Sequence, residues 1–432
     1  MQIDSLPTSV DDAYERILQK INARHKPNAQ KVLLVIVGAR RPLTIGEMAL
    51  ALGAARAQQS DSLPIQELNK ARLQDQIRQW CGLFVFINHS KIFLIHQTAK
   101  EFLLADSSHI SIRTGGWKRS FVMAQVENEM ASLCIQYLHL SSFNRKSDGN
   151  GRQCENGASD ELHKIQSPTQ AEQNEFFEYC AEHWASHLND QDVGGGDNLL
   201  TKILSLYDTR GDLFSSWFPI MWRALMSFKP TPNLSQHVVA FNGHAIVLDL
   251  LYKRRGFEVE ARDSTGRTAL MWAAGRGNEA VVKWLLDAGA DVNAEGGRDG
   301  NALYAASEGG HQKVVKMLLD AGAKVNTQGG YCDNALRVAS WNGDEKVVKM
   351  LLDAGADVNA EGGDTSALQA ASWNGDEKMV KMLLDAGADV NAEGAGFGNA
   401  LQAASEYGNE KVVKILLDAG ASEPGYETLL YL

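Results

Sequence analysis

The chain has 432 residues, 44% hydrophobic and 22% charged, with a net charge of −11, which is the balance of a globular protein with room for two or three domains and excludes a disordered chain. Its longest apolar run, VLLVIVGA at residues 32–39, falls far short of the ~20 residues that span a bilayer. The charge is uneven: residues 1–110 carry 13 Lys and Arg against 10 Asp and Glu, residues 111–230 carry 11 against 15, and residues 231–432 carry 18 against 28. The acidic C-terminal half repels nucleic acid and favours basic or apolar partners. Five scattered cysteines fit reduced thiols better than a disulfide framework, and the N-terminus has no basic then apolar leader, so a cytoplasmic location is expected.

In chain order, Val10, Ala13, Tyr14, Ile17, Leu18 and Ile21 share one face of a first helix. Residues 29–39 read as a second helix, apolar nearly all round and therefore buried. Pro42 ends it, and Thr44 with Glu47 forms a capping box for a third helix reaching Ala55. Leu73, Ile77 and Trp80 mark a fourth helix that stops at Gly82. LFVFIN and KIFLIH follow, joined by His89 and Ser90, and read as a β-hairpin. His96 stands where the second strand meets a last helix, Gln97 to Leu104, with no serine or cysteine nucleophile near it in sequence. It is read as structural.

Helices followed by a hairpin predict a winged-helix module over residues 1–110. Such a fold can read DNA through its third helix and wing. Here QELNKARLQDQIRQW offers Lys70, Arg72 and Arg78 but also Glu67 and Asp75, and the wing offers only Lys91. Arg40 and Arg41 precede a proline, a place to cap a helix end or meet a neighbouring domain. A DNA-binding regulator is therefore the alternative function, and no nucleic-acid partner is expected.

Residues 111–230 form a helical bridging region with a polar break from Asn144 to Thr169. Within it Cys180, His183 and His187 fall at i, i+3 and i+7, a spacing compatible with zinc. HWASH lacks the glutamate of H-E-x-x-H, and the stretch is read as a packing face with Trp184 in the core. No metal and no cofactor is expected. GGGD at residues 194–197 has no lysine after it and reads as a loop.

The segments LPTSVDDAYERIL, VIVGARRPLTIGEMALAL, QWCGLFVFINHSKIFLIHQTAKEFLL and FFEYCAEHWASHL resemble the region that follows the NACHT ATPase domain in fungal NOD-like receptor proteins. A similar winged helix occurs in fungal proteins of GPI inositol-deacylase-like type. The resemblance covers about residues 5–230, most specifically IHQTAKEFL. It implies a structural and regulatory element between an ATPase and a repeat array. A P-loop needs G-x-x-x-x-G-K-[ST], and no Gly-Lys pair occurs in the sequence. ATP-driven oligomerisation is thus not expected of this chain by itself, and association with a NACHT ATPase protein is one expectation.

From residue 231 onward the sequence repeats. LLDAGADVNAEGG and its variants place glycines at Gly289, Gly322, Gly355, Gly387 and Gly420, spaced 33, 33, 32 and 33 residues apart. A weaker unit ends at Gly256, giving about six. Each unit holds two short helical patterns; in one, Val314, Val315, Leu318 and Leu319 recur at helical spacing before Gly322 stops the helix. Helices this short are marginal alone, so the Val-Leu stripes must be buried by stacking. Asp263 to Ala274, DSTGRTALMWAA, resembles the ankyrin D-x-x-G-x-T-P-L-H-x-A-A stretch, with Ala269 in place of proline; later units read GNAL, DNAL, TSAL and GNAL. Gly243-His244 and Gly310-His311 resemble the ankyrin Gly-His pair that holds its loop.

The resemblance implies a mainly α protein ending in an ankyrin solenoid over residues 231–432, with no chemistry of its own and a protein partner on its concave face. On the ankyrin frame, the groove positions before the mid-repeat glycine include Arg276, Glu308, Trp341, Asn342, Trp373, Asn374, Glu406 and Tyr407. These are the candidate partner-binding residues. Trp341 and Trp373 are expected one repeat apart, with Tyr407 nearby. Tryptophan and tyrosine are enriched at binding hot spots because they bury much area at little entropic cost. The apolar tail TLLYL at residues 428–432 is expected to cap the last repeat or to mark where the array once continued.

Overall fold

The computed structural model describes residues 7, 9–57, 70–105, 116–147, 170–188, 197–226, 235–253, 257–297, 300–328, 334–360, 365–394 and 398–422. Two compact units divide the chain, residues 1–230 and 231–432. The tail at 428–432, Glu67 and the polar break beyond residue 147 lie outside the described residues.

In the first unit, α1 (Val10–Gln19) starts on Ser9, whose hydroxyl accepts from the Asp12 amide at 3.1 Å. The buried helix α2 (Lys26–Gly38) ends against the helix of residues 123–147; a Cβ on Gly38 would meet Met130 Cγ at 2.5 Å. α3 (Ile45–Ala57) opens on the expected capping box: Thr44 Oγ1 accepts from the Glu47 amide at 3.1 Å, and Glu47 accepts from the Thr44 amide at 2.8 Å. α4 (Lys70–Cys81) stops at Gly82, whose φ is +57°. The hairpin pairs β1 (Val85–Asn88) with β2 (Lys91–Leu94), Val85 opposite Leu94, around His89 and Ser90, both at positive φ.

After α5 (Gln97–Leu103), β3 (Leu104–Ala105) pairs in parallel with β4 (Phe121–Val122). The sequence reading lacked this ladder, because two residues give no alternation to detect. α6 (Met123–Ser147) packs on α2 and α3, and α7 (Gln170–His187) lies along α6 and also touches α3. α8 (Asp197–Leu206) and α9 (Asp212–Leu225) close the core, where Trp184 meets Trp217 edge-on at 5.2 Å. The winged-helix segment and the bridging helices thus share one hydrophobic interior. The expected boundary at residue 110 falls among residues outside those described.

In the second unit the described residues form six helix pairs: α10 (Ser235–Asn242) with α11 (Ala245–Tyr252), α12 (Ala269–Gly275) with α13 (Glu279–Asp287), α14 (Ala302–Glu308) with α15 (Gln312–Asp320), α16 (Ala335–Trp341) with α17 (Glu345–Asp353), α18 (Ala367–Asn374) with α19 (Glu377–Asp385), and α20 (Ala400–Glu406) with α21 (Glu410–Asp418). The first helices of successive pairs stack on one another, as do the second helices from α11 onward. Val314, Val315 and Leu318, with their counterparts Val347, Val348 and Leu351, are buried between neighbours, at roughly 1.5–3 kcal/mol per side chain. Gly322 ends α15 with φ +89°. From the second pair onward each first helix is capped by the residue that replaces the ankyrin threonine or by the threonine itself: Thr268, Asn301, Asn334, Ser366 and Asn399 accept from the amide three residues on. GNAL and DNAL therefore keep the cap while changing the wording.

Side chains also tie repeat to repeat through their loops. Asn293 Oδ1 accepts from the Lys324 amide at 2.8 Å while its Nδ2 donates to the Gly322 carbonyl at 3.2 Å. Asn326, Asn359 and Asn391 repeat both bonds one unit further on each time. No helix among the described residues is long and apolar enough to cross a membrane.

Candidate partner-binding face

Trp341 is the last residue of α16, Trp373 lies in the last turn of α18, and Tyr407 caps α20. Stacking of the repeats lines their rings up. The Trp341 and Trp373 centroids are 5.7 Å apart at 40°, and those of Trp373 and Tyr407 are 4.0 Å apart at 31°. Trp341 is 42% exposed and Tyr407 48% exposed, with Trp373 half-buried between them. Three consecutive repeats thus present one continuous aromatic ladder to solvent.

The backbone under the ladder is fixed by the next repeat. The Trp373 carbonyl accepts from Asn409 Nδ2 at 2.9 Å, and the Trp341 carbonyl accepts from Asn374 Nδ2. The same place is served elsewhere by Asn278 on Phe241 at 3.0 Å, by His311 on Gly275 at 3.1 Å, and by Asn342 on Glu308 at 2.8 Å. His311 thereby holds its loop as the Gly-His pattern implies. The pattern gives Asn342 and Asn374, both exposed, a structural bond within the array. In their repeats the helix that follows starts on Asp344 or Asp376, which can only accept. The amide two residues earlier supplies the missing donor, so these asparagines stitch the array.

Glu308 and Glu406 are exposed at the same mid-repeat level. Arg276 stands apart from the ladder, toward the start of the array, with its guanidinium 4.7 Å from the centre of the Phe241 ring. Sequence reasoning overlooked the carboxylates of Asp344 and Asp376, although the twice-written WNGDEK was a visible signal.

The remaining candidates resolve into structure. His96 is the N-cap of α5: its Nδ1 accepts from the Thr98 amide at 3.3 Å and lies 2.9 Å from Thr98 Oγ1, which Tyr14 Oη approaches to 2.8 Å. His187 is buried with Nδ1 on Glu127 and Nε2 3.2 Å from Tyr179 Oη, so both ring nitrogens are engaged by protein groups. Cys180 is fully buried, and burial pushes its thiol well above its ordinary value. His183 packs edge-on to Tyr179 at 4.8 Å. Arg41 forms a two-pronged bond to buried Glu47 at 3.0 and 2.6 Å, while Arg40 pairs with Glu127 at 3.0 Å and donates to the Ser186 carbonyl at 3.1 Å. Both arginines are thus committed to neighbouring protein groups, and Arg78 lies 3.9 Å from Asp75.

Residues 236–329, 297–361 and 336–425 match ankyrin repeats in three copies. Residues 14–113 match the winged helix domain of GPI inositol-deacylase. The chain carries an N-terminal winged helix and C-terminal ankyrin repeats, and the repeats mark it as a protein-interaction scaffold. The vegetative incompatibility protein HET-E-1 of Podospora anserina is 27% identical over 110 residues, 25% of this chain and 7% of that protein. The palmitoyltransferase akr1 of Emericella nidulans is 42% identical over 59 residues, 14% of this chain and 8% of that protein. This chain therefore spans less than a tenth of either relative. A solved ankyrin repeat domain from Acinetobacter baumannii is 33% identical, with a TM-score of 0.39, covering 43% of this chain and 98% of that one.

Proposed function

We propose that the chain is a non-enzymatic recognition component of the fungal NOD-like receptor type, whose ankyrin array grips a protein partner on its concave face. The observation that carries this reading is the exposed ladder of Trp341, Trp373 and Tyr407. Aromatic surface left open in an ordered array is costly unless a partner covers it, and Trp and Tyr are the residues that most often dominate binding energy. The receptor type draws on the resemblance of the first unit to post-NACHT segments and on the partial match to HET-E-1. In this reading the cell supplies an ATPase that acts with the array, and the array acts in the cytoplasm.

The test is affinity purification of the tagged chain from its own organism, beside the Trp341→Ala/Tyr407→Ala variant. Both rings are about half exposed and pack only on the Trp373 side of the ladder, so circular dichroism should match the wild type and the unfolding midpoint should fall only modestly. The proposal expects a defined protein retained by the wild type and lost from the variant. Equal retention by both would refute the ladder as the binding face.

A further inference from the structure

The aromatic ladder is set among carboxylates. Glu406 directly precedes Tyr407, and Glu308 holds the corresponding place one repeat before Trp341; both are exposed. Asp344 and Asp376 stand three residues beyond the two tryptophans, at the starts of α17 and α19. Asp344 leans back over the preceding repeat, with its Oδ2 3.0 Å from where a Cβ on Gly310 would lie. Lys378 and Lys411, in the first turns of α19 and α21, are each drawn to a carboxylate of the preceding repeat, Glu345 at 3.6 Å and Glu377 at 2.9 Å, and Arg337, four residues before Trp341 on α16, donates to Thr365 Oγ1 at 2.5 Å. The whole array carries 18 Lys and Arg against 28 Asp and Glu.

We infer that the occupant of the ladder is a cationic polypeptide segment, extended, laying arginine or lysine side chains against the faces of Trp341 and Tyr407 with Glu308 and Glu406 at the flanks. The inference rests on the partner-binding reading of this face. An aromatic face carries negative quadrupolar potential, and a cation within ~6 Å of a ring centre gains about two- to fivefold in affinity at an exposed site. Arginine suits the tilted rings best, because its planar guanidinium stacks on one face while its fork reaches a carboxylate. An apolar segment would cover the rings but strand the neighbouring carboxylates away from water. An acidic segment or a nucleic acid would be repelled by the same charges.

The experiment is selection of a displayed random peptide library on the intact chain, followed by calorimetric titration of the enriched peptides. Each peptide is measured against the wild type, Trp341→Ala/Tyr407→Ala and Glu308→Gln/Glu406→Gln. The expected peptides carry two or more arginines or lysines, lose about tenfold in affinity to the ring variant, about 1.4 kcal/mol, and weaken with the carboxylate variant and with added salt. Enriched peptides that are apolar or acidic yet still need both rings would overturn the cationic inference while leaving the partner-binding reading standing. Selection that yields no peptide dependent on the rings would overturn both.

Discussion

Asn374 shows how a side chain's job in a repeat protein is decided by the unit beside it. Its amide donates to the Trp341 carbonyl because Asp376, two residues on, has no donor to offer. In the next repeat Asn409 takes Asp376's place and reaches the Ser372 and Trp373 carbonyls itself, both at 2.9 Å. Asn374→Asp should therefore cost about 1 kcal/mol in urea unfolding. Adding Asp376→Asn, which restores a donor from the other position, should recover most of that loss. The capping role of Thr44 and Glu47 was legible in the sequence because a capping box is local. The role of Asn374 was not, since its acceptor lies 33 residues away.

A second residue-scale consequence concerns acid. Burial lowers the His183 pKa from its ordinary 6.5 to about 4, aided by the charges of His187, Arg40 and Arg41. Burial pushes Glu127 the other way, but its bond to His187 and its pairing with Arg40 outweigh that and leave it lowered. For His183 the unfolded chain takes up a proton near pH 6.5 that the folded chain refuses until about pH 4. Stability from this ring is full above that upper value and drains as pH falls toward the lower one. Glu127 contributes in the same sense, its share fading as pH falls through its own lowered value. Unfolding of the first unit should thus become easier as pH falls from about 6.5 toward about 4. In His183→Gln that fall should be visibly shallower.

At the scale of elements, the array is held by helices of seven to nine residues that cannot persist singly. Leu318 is fully buried in the seam that α15 makes with its neighbours. Leu318→Ala should cost about 2–5 kcal/mol, and hydrogen exchange should speed up in the flanking pairs as well as in its own, because each repeat shields the next. These helix pairs could be read from the sequence, since a period of 32 or 33 residues and a glycine that must adopt positive φ recur together. The parallel β3–β4 ladder could not, being two residues long and formed by segments about 17 residues apart.

Over the whole molecule, the described units divide the work by composition. The first pairs Arg41 with buried Glu47 and Arg40 with Glu127, and packs Trp184 against Trp217. The second buries small and branched side chains and leaves an aromatic ridge on an acidic body. The position of the two tryptophans followed from the repeat frame, but their joining with Tyr407 into one ladder depends on how closely the repeats stack. The most direct measurement is site-specific photocrosslinking in the native cell, with benzoylphenylalanine placed either at Trp341 or at Lys349, an exposed position on α17. The account predicts a discrete protein adduct from position 341 and none from position 349. An adduct from 349 alone, or none from 341, would contradict it.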